Sequence, residues 1–361
     1  MIPQYLKYVF QRKTYGGGQF NMYQFYTASK DATIYKQQPN QNTGLDELIE
    51  ISSTYVLGSK DVSRGLIKFN VNEISSSIFS GEVTMSSAEL VLRECESEEI
   101  PTNYTLYMYQ LQEDWDMGIG TKYDDISTSG VNWKNKSTDS VWGSDGGTFL
   151  SSSVVSQSVE YLAYDVTFDV ATPLNTWIDG NVTDYGWIIK FGDVEESDLV
   201  DYGKLQFFGK ETNTIYQPKL RIGWDDSVFT TGSLPELTSE NIKVSYKGLK
   251  TKYKEGQIPL IRVFGREQYP LKTYISQYSY RDISYLPETT YYQIKDAITH
   301  EVVLPFGEYT KVSCDGNGNF IRLNLSGWET NRDYYIEIKT VRAGIEDYFA
   351  DDDIVFTVEK R

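Results

Sequence analysis

Tyr104-Thr-Leu-Tyr-Met-Tyr-Gln-Leu111 is a strand-length run of aromatic and aliphatic residues, and it decides how the first part of the chain is read. Tyr suits a pleated surface, because its ring covers the sheet while its hydroxyl stays wet. Ile67-Lys-Phe-Asn-Val71 alternates apolar and polar residues at period two, and Leu90-Val-Leu-Arg-Glu94 does so more loosely. Trp187-Ile-Ile-Lys-Phe191 is a further run of strand length. Clusters of Gly, Asn, Asp and Ser separate these runs, as in a β-sandwich with long loops. Helix is expected only for a turn or two around Thr172-Pro-Leu-Asn-Thr-Trp-Ile-Asp179, with Thr172 as the cap and Pro173 at the first helical position.

Asp225-Asp-Ser-Val-Phe-Thr-Thr-Gly-Ser-Leu-Pro235 reads as a linker, and the texture changes after it. Leu260-Ile-Arg-Val-Phe264, Thr289-Thr-Tyr-Tyr-Gln-Ile294, Phe320-Ile-Arg-Leu-Asn-Leu325, Tyr334-Tyr-Ile-Glu-Ile-Lys339 and Ile354-Val-Phe-Thr-Val358 are strands by composition. Asp315-Gly-Asn-Gly-Asn319 is a hairpin signal between two of them. Short strands at this spacing predict an Ig-like sandwich. The expected organisation is an arm over 1–28, a β-sandwich over 29–225, a linker over 226–240 and an Ig-like β-sandwich over 241–361.

The arm carries Tyr5, Tyr8, Phe10, Tyr15, Phe20, Tyr23, Phe25 and Tyr26 around Gly16-Gly-Gly18. Two readings are open: it adds an edge strand to its own sandwich, or it docks on a neighbouring subunit by strand addition. On the second, Tyr5, Tyr8, Phe10, Phe20, Tyr23 and Phe25 are partner-binding candidates. The segment from Lys122 to Ser158 is long and rich in Ser, Gly and Asp, the texture of a functional or mobile loop. Trp142 within it joins the partner-binding candidates.

A longer series of blocks runs from Asp31 to about Asp225. It includes Asp31-Ala-Thr-Ile-Tyr35, Ser63-Arg-Gly-Leu-Ile-Lys-Phe-Asn-Val71, Ser87-Ala-Glu-Leu-Val-Leu-Arg93 and Glu113-Asp-Trp-Asp-Met-Gly-Ile-Gly120. Gly130-Val-Asn-Trp-Lys-Asn135, Tyr164-Asp-Val-Thr-Phe-Asp169, Asn175-Thr-Trp-Ile-Asp-Gly180, Asp184-Tyr-Gly-Trp-Ile-Ile-Lys190, Leu205-Gln-Phe-Phe-Gly-Lys-Glu211 and Gln217-Pro-Lys-Leu-Arg-Ile222 continue it. In that order the blocks resemble the DNRLRE family, whose β-sandwich modules are related to a carbohydrate-binding module. The resemblance implies a jelly-roll-like sandwich of the kind appended to surface-exposed and virion proteins, where it binds or spaces things without catalysing. It also implies that Trp133 and Trp177 are structural. The tail from Thr289 to Val358 is similar to C-terminal modules of tailed-phage virion proteins, through blocks such as Asp333-Tyr-Tyr-Ile-Glu-Ile-Lys339.

The charge of −17 is uneven: −14 through Asp225 and −3 beyond it. An acidic surface disfavours nucleic acid and anionic membrane as partners. No run of eighteen apolar residues is present to span a membrane. Cys95 and Cys314 fall in different expected domains and read as free thiols, and the first ten residues lack a secretory pattern. Both point to assembly in a host cytoplasm.

His300 is the single histidine, so Ser-His-Asp chemistry and Cys/His zinc sites have little to build on. No Gly-rich phosphate loop occurs. Carboxylates are plentiful, and Glu113-Asp-Trp-Asp116 is the most suggestive cluster for an acid pair. Asp114, Asp116, Asp124 and Asp125 offer hard oxygen ligands for calcium, as does Asp351-Asp-Asp353, without EF-hand spacing. Such clusters are more often solvated loops.

These features lead to an all-β chain, a jelly-roll-like β-sandwich followed by an Ig-like one, without catalytic residues. The expected role is a structural, accessory component of a tailed-phage virion that assembles with other virion proteins and copies of itself. The alternative is a carbohydrate-binding adhesin that grips cell-surface glycan; a polysaccharide-degrading enzyme is the remoter possibility.

Overall fold

Alternating runs give strands, and strands with one apolar face must stack in layers. The computed structural model follows that logic. It describes residues 22–56, 58–70, 85–98, 103–123, 126–160, 165–225, 227–239, 241–269, 283–342 and 344–361. The fold is all-β and sandwich-like, with one α-helix among the described residues.

The first half contains β1 (Met22–Thr27), β2 (Lys30–Tyr35), β3 (Leu48–Val56), β4 (Ser59–Lys68), β5 (Ser87–Glu98), β6 (Asn103–Leu111), β7 (Asn135–Ser137) and β8 (Ser140–Val141). It continues with β9 (Phe149–Glu160), β10 (Asp165–Asp169), α1 (Ala171–Ile178), β11 (Trp187–Lys190), β12 (Lys204–Phe208) and β13 (Lys219–Trp224). The main order is β1-β13-β5-β12-β3-β4-β11-β6-β9, with β10 on β5 and β2 on β4. Two strands fold this array into layers by changing partners along their length. β5 pairs with β13 through Val91 and with β10 through Arg93, then with β12 from Glu94 onward. β4 pairs with β3 as far as Ser63 and with β11 from Gly65. Gly65 is needed at that switch, since a Cβ there would sit 2.6 Å from Ile49 Cγ2.

The period-two pattern of β6 places Tyr104, Leu106 and Met108 in the core beside Ile49, Ile51, Leu90, Leu92, Phe168, Leu205 and Phe207. α1 closes one end with Pro173, Leu174 and Trp177, whose ring lies 4.3 Å from that of Trp187. The helix starts earlier than the expected Thr172 cap. Val170 is the N-cap, and the Asp169 carboxylate accepts the Ala171 N–H at 3.0 Å, so Thr172 lies inside the first turn.

A second core covers the outer face of the same sheet. Trp115, Val131, Trp133 and Trp142 pack onto Ala32, Ile34, Val62, Leu66, Leu111 and Ile188. Trp142 therefore needs correcting: it is only 4% exposed and its Nε1 donates to the Asn132 carbonyl at 3.0 Å, so it fastens the chain to itself instead of facing a partner. Lys122 to Ser158 likewise holds the β7/β8 hairpin and the twelve-residue β9.

The second half contains β14 (Ile242–Lys247), β15 (Lys252–Lys254), β16 (Leu260–Glu267), β17 (Thr290–Asp296), β18 (Val302–Leu304), β19 (Ser313–Asp315), β20 (Gly318–Arg322), β21 (Arg332–Arg342) and β22 (Ile345–Glu359). They form two sheets, β14-β16-β20-β19 and β15-β22-β21-β17-β18. Ile261, Val263 and Ile321 from the first enclose a core with Tyr292, Ile294, Tyr334, Ile336, Phe356 and Val358 from the second. The expected hairpin joins β19 to β20, pairing Asp315 with Gly318, whose φ is +104°. The expected strand Phe320–Leu325 ends sooner, at Arg322.

β1 connects the halves. It pairs antiparallel with β13, from Met22 opposite Trp224 to Thr27 opposite Lys219. Alternation then sends Tyr26 towards the first core and Tyr23 and Phe25 towards the second. Tyr23 is fully buried, with ring centroids 6.0 Å from Trp328 and 5.7 Å from Phe25. Tyr23 and Phe25 are thus corrected from partner-facing rings to internal ones, and at β1 the chain takes the edge-strand alternative. Tyr5, Tyr8, Phe10 and Phe20 lie outside the described residues, as do Asp124 and Asp125.

Candidate functional site: the cleft between the halves

The side chains of β13 that do not enter the first core, Lys219 and Arg221, point towards the second half. Val91 and Arg93 of β5 and Asp165 and Thr167 of β10 join them. Asp296, Glu301, Val303, Trp328, Glu329 and Arg332 face them across a cleft of about 260 Å³. The backbones come close beside it: a Cβ on Gly223 would meet the Tyr309 ring at 2.7 Å, so glycine sets how tightly β13 seats.

Charges of both signs line the cleft, and they pair. Arg93 reaches Glu301 across it at 2.5 Å and Asp165 beside it at 3.4 Å, with its guanidinium 5.0 Å from the Tyr216 ring centre. Lys219 bonds Glu329, again from one half to the other. Arg221 pairs with Glu89 and also donates to the Val303 carbonyl at 3.5 Å. Arg332 holds Asp296 at 2.6 Å and approaches Glu329 at 3.7 Å.

The carboxyls respond in opposite directions. Burial raises Asp165, and the Arg93 charge offsets only part of that. For Asp296 burial also disfavours the charge, but the Thr299 and Ile298 N–H groups and the Arg332 guanidinium outweigh it and hold the carboxyl below its ordinary range. These cations and carboxylates already serve one another, so the cleft acts as a brace between the halves.

The Glu113-Asp-Trp-Asp116 cluster does similar work on the outer face. Glu113 takes Lys136 at 2.5 Å and the Gly143 N–H at 2.9 Å. Asp114 lies 3.1 Å from Lys30 and 3.7 Å from Lys68. Burial opposes its charge, yet the two ammonium groups keep it below the usual carboxylate range. Trp115 is buried and donates Nε1 to the Tyr185 carbonyl at 2.9 Å. Asp116 is exposed, and its backbone ties Val131 and Lys136 into the second core. For calcium, Asp114 therefore offers oxygens already occupied by lysine. Among the described residues no group of three or more His, Cys, Asp or Glu side chains is arranged to hold a metal. His300 is exposed in a turn with φ +59°, 3.3 Å from the Tyr335 hydroxyl. Neither Cys95, which is exposed, nor Cys314, which is buried, is in a disulfide.

Two buried polar networks escaped the sequence reading. Glu50, 5% exposed, accepts from Tyr35 at 2.7 Å, from Gln206 at 2.6 Å and from Lys122. Lys190, 1% exposed, meets Glu196 at 3.2 Å, and Arg64 grips Glu196 at 2.6 Å while lying over Trp133. The signal was present for Lys190, a cation closing the apolar run Trp187-Ile-Ile, every residue of which is buried. A charge in such a run requires a buried acid.

No family model matches the chain, and no curated protein does. Among solved structures it is similar to a DUF4785 family protein from Legionella pneumophila, at 9% identity and a TM-score of 0.21, over 95% of this chain and 66% of that one. It is also similar to apo Bacteroides uniformis beta-glucuronidase 3, at 6% identity and a TM-score of 0.16, over 77% and 28%. The chain spans less than two-thirds of either structure, and likeness at this level has no bearing on activity.

Proposed function

We propose that this chain is a non-enzymatic structural protein that works by assembly, as an accessory component of a tailed-phage particle. Its first half is read as a jelly-roll-like sandwich of the DNRLRE type and its second as an Ig-like sandwich. The observation that carries the reading is the brace: β1 and the cleft ion pairs spend their rings and charges on fixing one half to the other. A rigid two-part block suits a protein that spaces or decorates. The glycan alternative lacks its usual platform, because all seven tryptophans are buried, none more than 8% exposed. Mass spectrometry of purified particles, with a cryo-EM map to place the chain, is the direct test. Absence from the particles, or cleavage of a polysaccharide that is lost in Asp114→Asn or Asp116→Asn, would replace this reading.

A further inference from the structure

A sheet edge presents unpaired N–H and C=O groups, and an extended segment of complementary charge can pair with them. The first stretch of β22 is such an edge. Residues 345–350 pair with 337–342 of β21 in unbroken register, and β15 meets only the far end of the strand, at Thr357 to Glu359. Among the described residues no main-chain bond reaches the outer side of 345–350. The register then shifts across 351–354, and β14 reaches the sheet at that bulge, where Tyr246 donates to the Ile336 carbonyl at 3.2 Å. The edge is acidic. Glu346 pairs with Lys339 and Asp347 with Arg342, but no ion pair among the described residues reaches Asp351, Asp352 or Asp353, all three exposed. Ile345 and Tyr348 stand exposed beside these charges.

We propose that residues 1–21 of the same chain lie along this edge, with Lys7, Arg12 and Lys13 turned to the carboxylates of β22. Charge selects the occupant. Residues 1–21 carry +3 of a total of −17 and hold no Asp or Glu, which leaves −20 for the rest of the chain. No other stretch outside the described residues is as basic; 270–282 comes next, at +1. Composition suits the edge as well, since Tyr5-Leu-Lys-Tyr-Val-Phe10 is a strand-forming run whose apolar side chains match Ile345 and Tyr348. Reach is sufficient. Met22 stands opposite Trp224, the next residue Asp225 lies 3.8 Å from Lys311, and Lys311 bridges to Tyr291. From Tyr291 the register runs through Lys339 to Tyr348, two strand spacings or roughly 10 Å away. Twenty-one residues extend to about 70 Å, and Gly16-Gly-Gly18 lets the path turn. A tether that spans the gap makes the contact intramolecular, which favours the chain's own arm over a neighbour's. The contact does not rest on the virion reading.

The test is zero-length carbodiimide crosslinking of the full chain, read by mass spectrometry on the monomeric fraction, together with amide exchange. Crosslinks are expected from Lys7 or Lys13 to the carboxylates of 346–353. Amides of 345–350 should exchange about tenfold more slowly in wild type than in K7E/R12E/K13E, with the same circular dichroism spectrum for both. K7R/K13R should lose the crosslinks yet keep the slow exchange, because arginine holds the charge without the reactive amine. Absence of crosslinks from Lys7 and Lys13 to β22 in wild type, or exchange at 345–350 that ignores the charge reversal, overturns the docking. Crosslinks from Lys272 in their place would assign the edge to 270–282, and crosslinks confined to dimers would assign it to a neighbour's arm; either result overturns it too.

Discussion

The two halves solve the burial problem differently. The first stacks two cores on one sheet system, an inner one sealed by α1 and an outer one roofed by Trp115, Trp133 and Trp142. The second has a single core between two sheets and takes a side chain, Tyr23, from the strand that opens the first half. The first half therefore contains its own closure, while the second depends on a contact spanning 301 residues, where Asn324 donates to the Tyr23 carbonyl at 3.3 Å. Damage at the borrowed ring should reach further than damage at the roof.

Tyr23→Ala is the sharpest way to break this contrast. Emptying a fully buried aromatic site should cost roughly 3–5 kcal/mol, and calorimetry should show the transition of the second half falling while the first holds. An equal fall in both would show that the halves melt as one unit. Trp142→Ala should cost about 3 kcal/mol but locally. Hydrogen exchange should quicken around Val131–Gly143, with the inner-core strands β5 and β12 still protected. Loss of protection there would mean that the roof supports the whole sheet.

The cleft tests the join. Asp296→Asn should destabilise by about 2 kcal/mol at neutral pH, because it removes the charge from a buried carboxylate held by Arg332 and two N–H groups. Asp165→Asn should be near neutral, within about 1 kcal/mol, since that carboxyl is raised and partly exposed. The pH dependence follows with the same signs. The folded Asp296 value is depressed, so its stabilisation is complete above the ordinary carboxyl value of about 3.9 and is lost as pH falls through the lower folded value. Asp165 acts in reverse, taking up its proton first and favouring the fold as it does so. Urea midpoints between neutral pH and pH 3 should fall less steeply in D296N than in wild type. The smallest effect belongs to the outer face. Asp114→Asn should cost less than about 1 kcal/mol, and millimolar calcium should leave the melting temperature unchanged, as Lys30 and Lys68 already neutralise the carboxylate.

Local patterns carried most of the strand assignments. Tyr104–Leu111 and the Asp315–Asn319 hairpin were legible because period-two alternation and turn glycines act over a few residues. β9 was not, since a Ser-rich edge strand has the composition of a loop, with Val155 and Val159 turned to the inner core and Phe149 to the outer one. Trp142 and Tyr23 turn inward for a reason the sequence hides: a ring in a polar or Gly-rich segment looks outward-facing until its distant partner is known. The cleft was invisible altogether, because its charges come from β5, β10, β13, the β17–β18 turn and the start of β21, with no spacing to connect them.

β1 also imposes an order in time. Tyr23 is made about three hundred residues before the Trp328 ring and the strands around it leave the ribosome. At roughly 5–20 residues per second, β1 waits about 15–60 s before its outward face is covered. Over that interval the nascent chain displays a bare aromatic strand, and docking of the late-made half is what removes it. Slow codons or a premature stop after Trp224 would prolong the exposure of Tyr23 and Phe25, so aggregation of truncated chains should depend on those two rings.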